Sequence, residues 1–100
     1  MDVTFADDQL VKCYEDHKRA VRRWGPKIGL KYVDRVNRLY AVKSAQDLFT
    51  FPELNFHPLG ADRKGQYAMN LDQAWRLIVR FLDKEMKVVK VEEVSDHYDD

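Results

Sequence analysis

A histidine, several arginines and a terminal Asp-His-Tyr run in the second half of this sequence have side chains suited to cleaving RNA. They are His57, Arg63, Arg76 and the run Asp96, His97 and Tyr98. Attack of an RNA 2′-hydroxyl on the adjacent phosphate needs a base, a cation for the crowded phosphate, and an acid for the leaving 5′-oxygen. Imidazole titrates near neutrality and guanidinium keeps its charge, so these residue types can fill those roles. If the fold gathers them on one concave face, they form a ribonuclease site.

The stretch around Arg76 alternates as a strand with one buried face does. Arg76 and Arg80 share one face of this predicted strand. The other face holds the apolar residues Trp75, Leu77, Val79 and Phe81. Arginines on an open sheet face are suited to phosphate groups. In the alternative interpretation this face is merely solvated, and its arginines pair with Glu92 or Glu93 on the neighbouring strand.

Three further segments could add polar groups to this face. His57 precedes Pro58, which favours an extended backbone, although a histidine at such a position can also be structural. The loop 60–65 has glycine at both ends and two adjacent cations, so it could fold around a phosphate or be an ordinary hairpin loop. The tail 96–98 follows the last predicted strand and could lie over the sheet, with disorder as the alternative.

Helical periodicity comes first along the chain. A stripe of apolar spacing predicts a helix from Asp8 to Trp24, which Asp7 or Asp8 can cap. Gly25-Pro26 ends it, and a second stripe predicts another helix to about residue 42. So short a link favours an antiparallel helical hairpin.

Strand periodicity follows at 67–71, 75–81 and 87–94. Helices followed by antiparallel strands indicate an α+β domain, with the N-terminal helical hairpin packed on a small, mainly antiparallel sheet. One hundred residues suit a single domain spanning 1–100.

The net charge is zero, but the charges are segregated. Residues 12–38 hold nine basic and three acidic side chains, whereas the last nine residues hold five acids. Such segregation predicts a basic surface for phosphates on the helices, although charged helix faces are common in any soluble protein.

Composition excludes several classes of protein. Cys13 is the single cysteine, so the sequence predicts neither an internal disulfide nor a zinc site. No apolar run approaches the roughly 20 residues of a membrane span, and the first residues lack a secretory layout. We therefore expect a cytoplasmic protein that needs no membrane.

Taken together, these motifs resemble a known family. The order His57-Pro58-Leu59, then 62–67, then 75–78, ending in an acidic strand and Asp-His-Tyr, is similar to the HigB-type toxins (plasmid maintenance system killer family) of the RelE/ParE superfamily. The resemblance implies the RelE fold and cleavage of messenger RNA in the ribosomal A site. It also implies a helix-turn-helix antitoxin as partner, through which alone the toxin would reach operator DNA.

The resemblance assigns roles to individual residues. His57 would take part in proton transfer, Arg76 would hold the scissile phosphate, and Asp96 matches the family's C-terminal aspartate. His97 and Tyr98 would stack on the base or act as acid or base. The cations expected to bind RNA, with Arg63 either a phosphate contact or a loop brace, are Arg63, Lys64, Arg80, Arg22 and Arg23. The reaction would require no metal or other cofactor, because the attacking oxygen belongs to the RNA.

The chain departs from the family pattern in three places. Gly60 stands where many relatives have lysine, the terminal order is His-Tyr instead of Tyr-His, and two further aspartates, Asp99 and Asp100, add negative charge near the expected RNA path. Two other functions on the same scaffold therefore remain open. One is a ParE-like inhibitor of gyrase without a nuclease site, and the other is a degenerate toxin that acts only with its antitoxin in autoregulation.

Overall fold

A computed structural model describes residues 1–72 and 74–96. Within these ranges, five strands form one sheet in the order β1-β5-β4-β3-β2, in which β1 runs parallel to β5 and the other neighbours are antiparallel. The strands are β1 (Asp2–Phe5), β2 (His57–Pro58), β3 (Gln66–Asp72), β4 (Trp75–Phe81) and β5 (Val88–Ser95). The helices are α1 (Asp8–Glu15), α2 (His17–Ala41) and α3 (Ala45–Leu48). The predicted α+β class and the three predicted strands are confirmed.

The predicted first helix is wrong as one continuous element, because it breaks at Asp16. Asp16 has an extended backbone, with φ −126° and ψ 102°, and its side chain accepts a hydrogen bond from the Lys18 amide. A short acceptor side chain in this position starts a new helix better than it continues an old one. Asp7 caps α1 by accepting from the Leu10 amide, as predicted.

Gly25 interrupts α2 where the sequence predicts the end of the first helix. Its φ of 85° and ψ of 163° are non-helical, and Pro26 begins the second arm of α2. The arms, 17–24 and 26–41, approach so closely that a Cβ on Gly29 would lie 2.7 Å from the Ala20 backbone. A glycine is therefore needed at this crossing.

Replacing Gly29 by Ala should destabilise the protein by about 1–3 kcal/mol, because the backbone that the new methyl group meets cannot move aside easily. Denaturant unfolding followed by circular dichroism measures the change. Gly60→Ala is the matched control, since a Cβ there would meet nothing within 4 Å. Equal stability of the two variants would contradict the close packing of the arms.

The main core lies between the helices and one face of the sheet. It joins Leu77 and Val79 of β4 to Leu10, Tyr32 and other buried side chains of the helices. The Tyr32 hydroxyl donates to the Leu10 carbonyl at 2.6 Å, which ties α2 to α1 inside this core. The helices thus cover one face of the sheet and leave the other for polar residues.

Strand β1 was not predicted. It alternates, with Val3 and Phe5 packed on the core while Asp2 and Thr4 are exposed. Four residues give a weak period, and the partner strand β5 lies at the far end of the chain. Within residues 1–72 and 74–96, no helix has the length and apolar character that crossing a membrane requires.

Candidate functional site

The sheet face turned away from the helices carries His57, Arg76 and Arg80 of the predicted site; we call it the far face. Its members follow from the strand register, because side chains of directly paired residues lie on the same side of a sheet. They are His57 of β2; Gln66, Ala68 and Asn70 of β3; Arg76, Ile78 and Arg80 of β4; and Lys90, Glu93 and Ser95 of β5. Loop 60–65, between β2 and β3, belongs to the same region.

His57 and Arg76 share the far face. His57 pairs with Ala68, and Arg76 pairs with Asn70, two residues further along β3. Two strand spacings of about 4.8 Å and a two-residue step of about 6.8 Å put their Cα atoms roughly 12 Å apart. The two side chains therefore project from the same side of the sheet, on strands separated by β3.

The backbone before β2 orients His57. Its Nδ1 lies 2.6 Å from the Asn55 carbonyl oxygen, and Asn55 adopts a left-handed conformation with φ 44° that turns the chain into the strand. A proton on Nδ1 that is donated to this carbonyl leaves the lone pair on Nε2. A half-buried imidazole in this tautomer can accept a proton at Nε2.

Arg76 lies between Asn70 on β3 and Ser95 on β5. Its Nη1 donates to the Trp75 carbonyl at 2.9 Å, which holds the half-buried guanidinium close to its own strand. Asp96 directly follows Ser95 and is exposed. The register therefore brings Asp96 to the end of the sheet at which Arg76 lies, whereas His97 and Tyr98 lie outside the described residues.

Arg63 and Arg80 are held by carboxylates. Arg80 Nε donates to Glu92 Oε1 at 2.8 Å, and Arg63 Nη2 donates to Glu93 Oε1 at 2.5 Å. The alternative in which arginines of this face pair with Glu92 or Glu93 is thus confirmed for Arg80, and Arg63 has the contacts of a loop brace. Lys64, between Arg63 and Gly65, is exposed.

The Glu92 carboxylate contacts Arg80, Gln66 and Lys90. Burial alone would raise the pKa of the Glu92 carboxyl, but hydrogen bonds from Arg80 and Gln66 and the charges of Arg80 and Lys90 lower that pKa below its usual value. The carboxylate therefore stays ionised at neutral pH and keeps Arg80 paired.

A small apolar cluster lies between the polar groups of the far face. Leu59, Ala68 and Ile78 form it, and Ala68 and Ile78 are fully buried. Their burial means that neighbouring side chains cover this part of the far face.

Arg22 and Arg23 lie elsewhere, on the first arm of α2 in the helical layer. With Arg19, Gln9 and Cys13 they line a cleft of about 240 Å³. The Arg23 guanidinium stacks on the Trp24 ring, 5.0 Å from its centroid. These exposed arginines do not join His57 and Arg76, so the predicted RNA-binding residues fall on two separate surfaces.

The predicted basic surface on the helices is smaller than the charge count indicates. Arg35 is only 5% exposed, and its Nε donates to the Asn70 carbonyl at 2.9 Å, so it braces α2 against β3. Other cations of this segment are paired with acids. These ion pairs are Arg19–Asp16, Lys27–Asp72, Arg38–Asp34 and Arg38–Glu53.

This order of strands, with the helices on one face, defines the fold class: the chain has the α+β fold of RelE- and YoeB-like toxins. The YoeB/ParE toxin from Agrobacterium tumefaciens superposes with a TM-score of 0.57 and 17% identity, covering 98% of this chain and 100% of that chain. The YoeB of the Staphylococcus aureus YoeB–YefM complex gives 0.53 and 18%, covering 98% of each chain.

The Escherichia coli DinJ–YafQ complex gives a TM-score of 0.53 and 22% identity, covering 96% of this chain and 92% of that chain. These neighbours are toxins of the RelE/ParE type, and identities this low establish the fold alone. No protein-family model and no curated protein matches the sequence. None of the three neighbours is described as HigB, so the HigB-type assignment remains a prediction.

Proposed function

We propose that this protein is the toxin of a type II toxin–antitoxin system and a ribosome-dependent endoribonuclease, with residues 1–100 as one toxin domain. It cleaves messenger RNA by attack of a 2′-hydroxyl on the adjacent phosphate and so arrests translation. The observation that carries the proposal is the position of His57 and Arg76 on one sheet face. The RelE-like fold and the sequence resemblance to HigB-type toxins support it.

The two side chains divide the chemistry between them. Nε2 of His57 accepts or returns a proton, because the Asn55 carbonyl favours the tautomer with the proton on Nδ1. Arg76 holds the scissile phosphate and the charge that develops on it. Asp96, His97 and Tyr98 complete the site in this proposal, on the strength of the resemblance. The nucleophile is part of the RNA, so the reaction needs no metal.

The proposal includes two kinds of partner. In two solved structures the same fold is in complex with a second protein, YefM or DinJ. We infer a cognate helix-turn-helix antitoxin here, which also carries the toxin to operator DNA. The other partners are messenger RNA and ribosomal RNA in the cytoplasm.

Changing both Arg22 and Arg23 to Gln should weaken ribosome binding and leave the far face unchanged, because these exposed arginines have no ion pair within residues 1–72 and 74–96. Each lost phosphate contact should reduce the magnitude of the slope of log K against log[salt] by about 0.7–0.9. Co-sedimentation with ribosomes over a salt series measures this slope. The Lys84→Gln, Lys87→Gln double variant is the charge-matched control, and identical slopes for both would contradict a role in RNA binding.

Primer extension on cellular mRNA after a brief induction pulse tests the function itself. The proposal predicts new 5′ ends within translated regions, and only on mRNA that is being translated. DNA breaks with intact mRNA would instead establish a gyrase inhibitor on this fold. If induction produces neither mRNA cleavage nor DNA breaks, autoregulation together with an antitoxin is the remaining function.

A further inference from the structure

Loop 60–65 rests directly on the guanidinium of Arg80. Arg80 Nη1 donates to the Lys64 carbonyl at 3.2 Å. A Cβ on Gly65 would lie 2.6 Å from the same nitrogen, and Gly65 has φ 87°, a conformation that L side chains rarely adopt. The backbone conformation therefore favours glycine at this position, and a Cβ there would displace the end of the Arg80 side chain.

A β-bulge aims Glu92 at Arg80. Ile78 pairs with Glu93, and Val79 pairs with Val91, so Glu92 is the extra residue of β5. Bulges commonly redirect a side chain in this way. Glu92 Oε1 accepts from Arg80 Nε at 2.8 Å, and its side chain is only 18% exposed. Arg80 is thus held by Glu92 through Nε and contacts loop 60–65 through Nη1.

Gln66 links this pair to the other side of the loop. Its Nε2 donates to Glu92 Oε1 at 3.3 Å, while its Oε1 accepts from Arg63 Nε at 2.8 Å. The Leu59 amide donates to the Gln66 carbonyl at 2.9 Å, so the loop closes on itself. The Arg63 amide also donates to the Gly60 carbonyl at 2.8 Å, which ties the residue before Lys64 back to the start of the loop.

We propose that Arg80, held by Glu92, is a positioning residue that fixes loop 60–65 and thereby places Lys64 at the edge of the far face. In this role Arg80 does not bind RNA itself, in contrast to the role expected from the sequence. A phosphate bound at Arg80 Nε would displace Glu92, and one bound at Nη1 would compete with the Lys64 carbonyl, so in both cases the loop would lose part of its support. The inference rests on the proposed nuclease function.

Glu92→Gln separates the two roles, because they predict opposite effects. If Arg80 bound RNA, loss of the competing carboxylate would raise the affinity for a single-stranded RNA oligonucleotide. If Arg80 positions the loop, kcat for cleavage of mRNA on ribosomes falls about 10- to 100-fold, and oligonucleotide affinity does not rise. Arg80→Lys keeps the charge but cannot make both contacts, so it should lose as much activity as Arg80→Gln.

The salt dependence of oligonucleotide binding is the second readout. Positioning predicts that Arg80→Gln lowers the slope of log K against log[salt] by no more than Lys64→Gln does and that the double variant lowers it no further, whereas a direct phosphate contact by Arg80 would add a decrement of about 0.7 in the double variant. Additive decrements in the double variant, or tighter RNA binding by Glu92→Gln, would overturn the proposal. Full activity of Arg80→Lys would overturn it as well.

Amide hydrogen exchange in the RNA-free protein tests positioning without reference to cleavage. Loop amides 61–65 should exchange faster in Glu92→Gln than in Glu85→Gln, an exposed control in the β4–β5 turn. Unchanged loop exchange would overturn the positioning role. A wild-type protein that cleaves no RNA would overturn the nuclease function alone, since exchange would still decide whether Arg80 and Glu92 hold the loop.

A second pair of variants covers the case in which Glu92→Gln does not fold. Gly65→Ala should push Arg80 aside and reduce kcat as Glu92→Gln does, whereas Gly60→Ala, in open space, should not. Equal activity of these two alanine variants would overturn the proposal.

Discussion

Replacing Arg76 by Ala should lower the rate of RNA cleavage about 10²- to 10³-fold and abolish growth arrest on induction, because in the proposed mechanism this cation stabilises charge on the scissile phosphate. The side chain is half-buried on the far face and outside the main core, so the variant should stay folded. Single-turnover cleavage of mRNA on purified ribosomes measures the rate, and circular dichroism checks the fold.

Arg38→Ala is the matched control for Arg76→Ala. It removes the same charge from α2, where Arg38 pairs with Asp34 and Glu53. Cleavage by this control should stay close to the wild-type rate. Full toxicity of Arg76→Ala would mean that the far face does not contain the catalytic site.

Replacing His57 by Gln should slow cleavage about 10²- to 10⁴-fold, the range expected when a general acid or base is lost. Glutamine keeps much of the size and polarity of histidine but cannot take up a proton at neutral pH. Binding of an mRNA oligonucleotide should change little, so the loss should appear in kcat. Rapid-quench measurement at saturating ribosome concentration separates kcat from KM.

His17→Gln supplies the comparison for His57→Gln, because His17 is an exposed histidine at the start of α2. Its cleavage rate should match that of the wild type. If both histidine variants cleave at the wild-type rate, proton transfer belongs to another group.

Strands β3, β4 and β5 were predictable because each has one apolar face. In β4, Leu77 and Val79 alternate with Arg76 and Arg80, and the structure places the first pair in the core and the second pair on the far face. A period of two also determined that Arg76 would face away from the helices. The relation between β2 and β4 could not be predicted from local periodicity, since it depends on how three strands pair.

Two misses have the same physical origin. Strand β1 has only four residues, and its pairing with β5 spans nearly the whole chain. The break at Asp16 occurs because its side chain caps a new helix. The local sequence pattern is equally compatible with one continuous helix through this residue. Short elements and single caps carry too little signal for periodicity to detect.

The burial and ion pairing of the cations were the least predictable features of the site. Arg35 follows the apolar stripe of α2 and is buried against Asn70, although a charge count treats it as surface. Arg80 pairs with Glu92 because a bulge in β5 redirects that glutamate. A bulge has no clear sequence signature here, so the sequence left pairing as one of two alternatives.

The most direct test of the account uses a single 2′-deoxy nucleotide at the scissile position of an mRNA on purified ribosomes. If the far face with His57 and Arg76 promotes attack by the 2′-hydroxyl, the all-ribose mRNA gives 2′,3′-cyclic phosphate and 5′-hydroxyl ends, and the substituted mRNA stays intact. Cleavage of the 2′-deoxy substrate, or products with 3′-hydroxyl and 5′-phosphate ends, would contradict it.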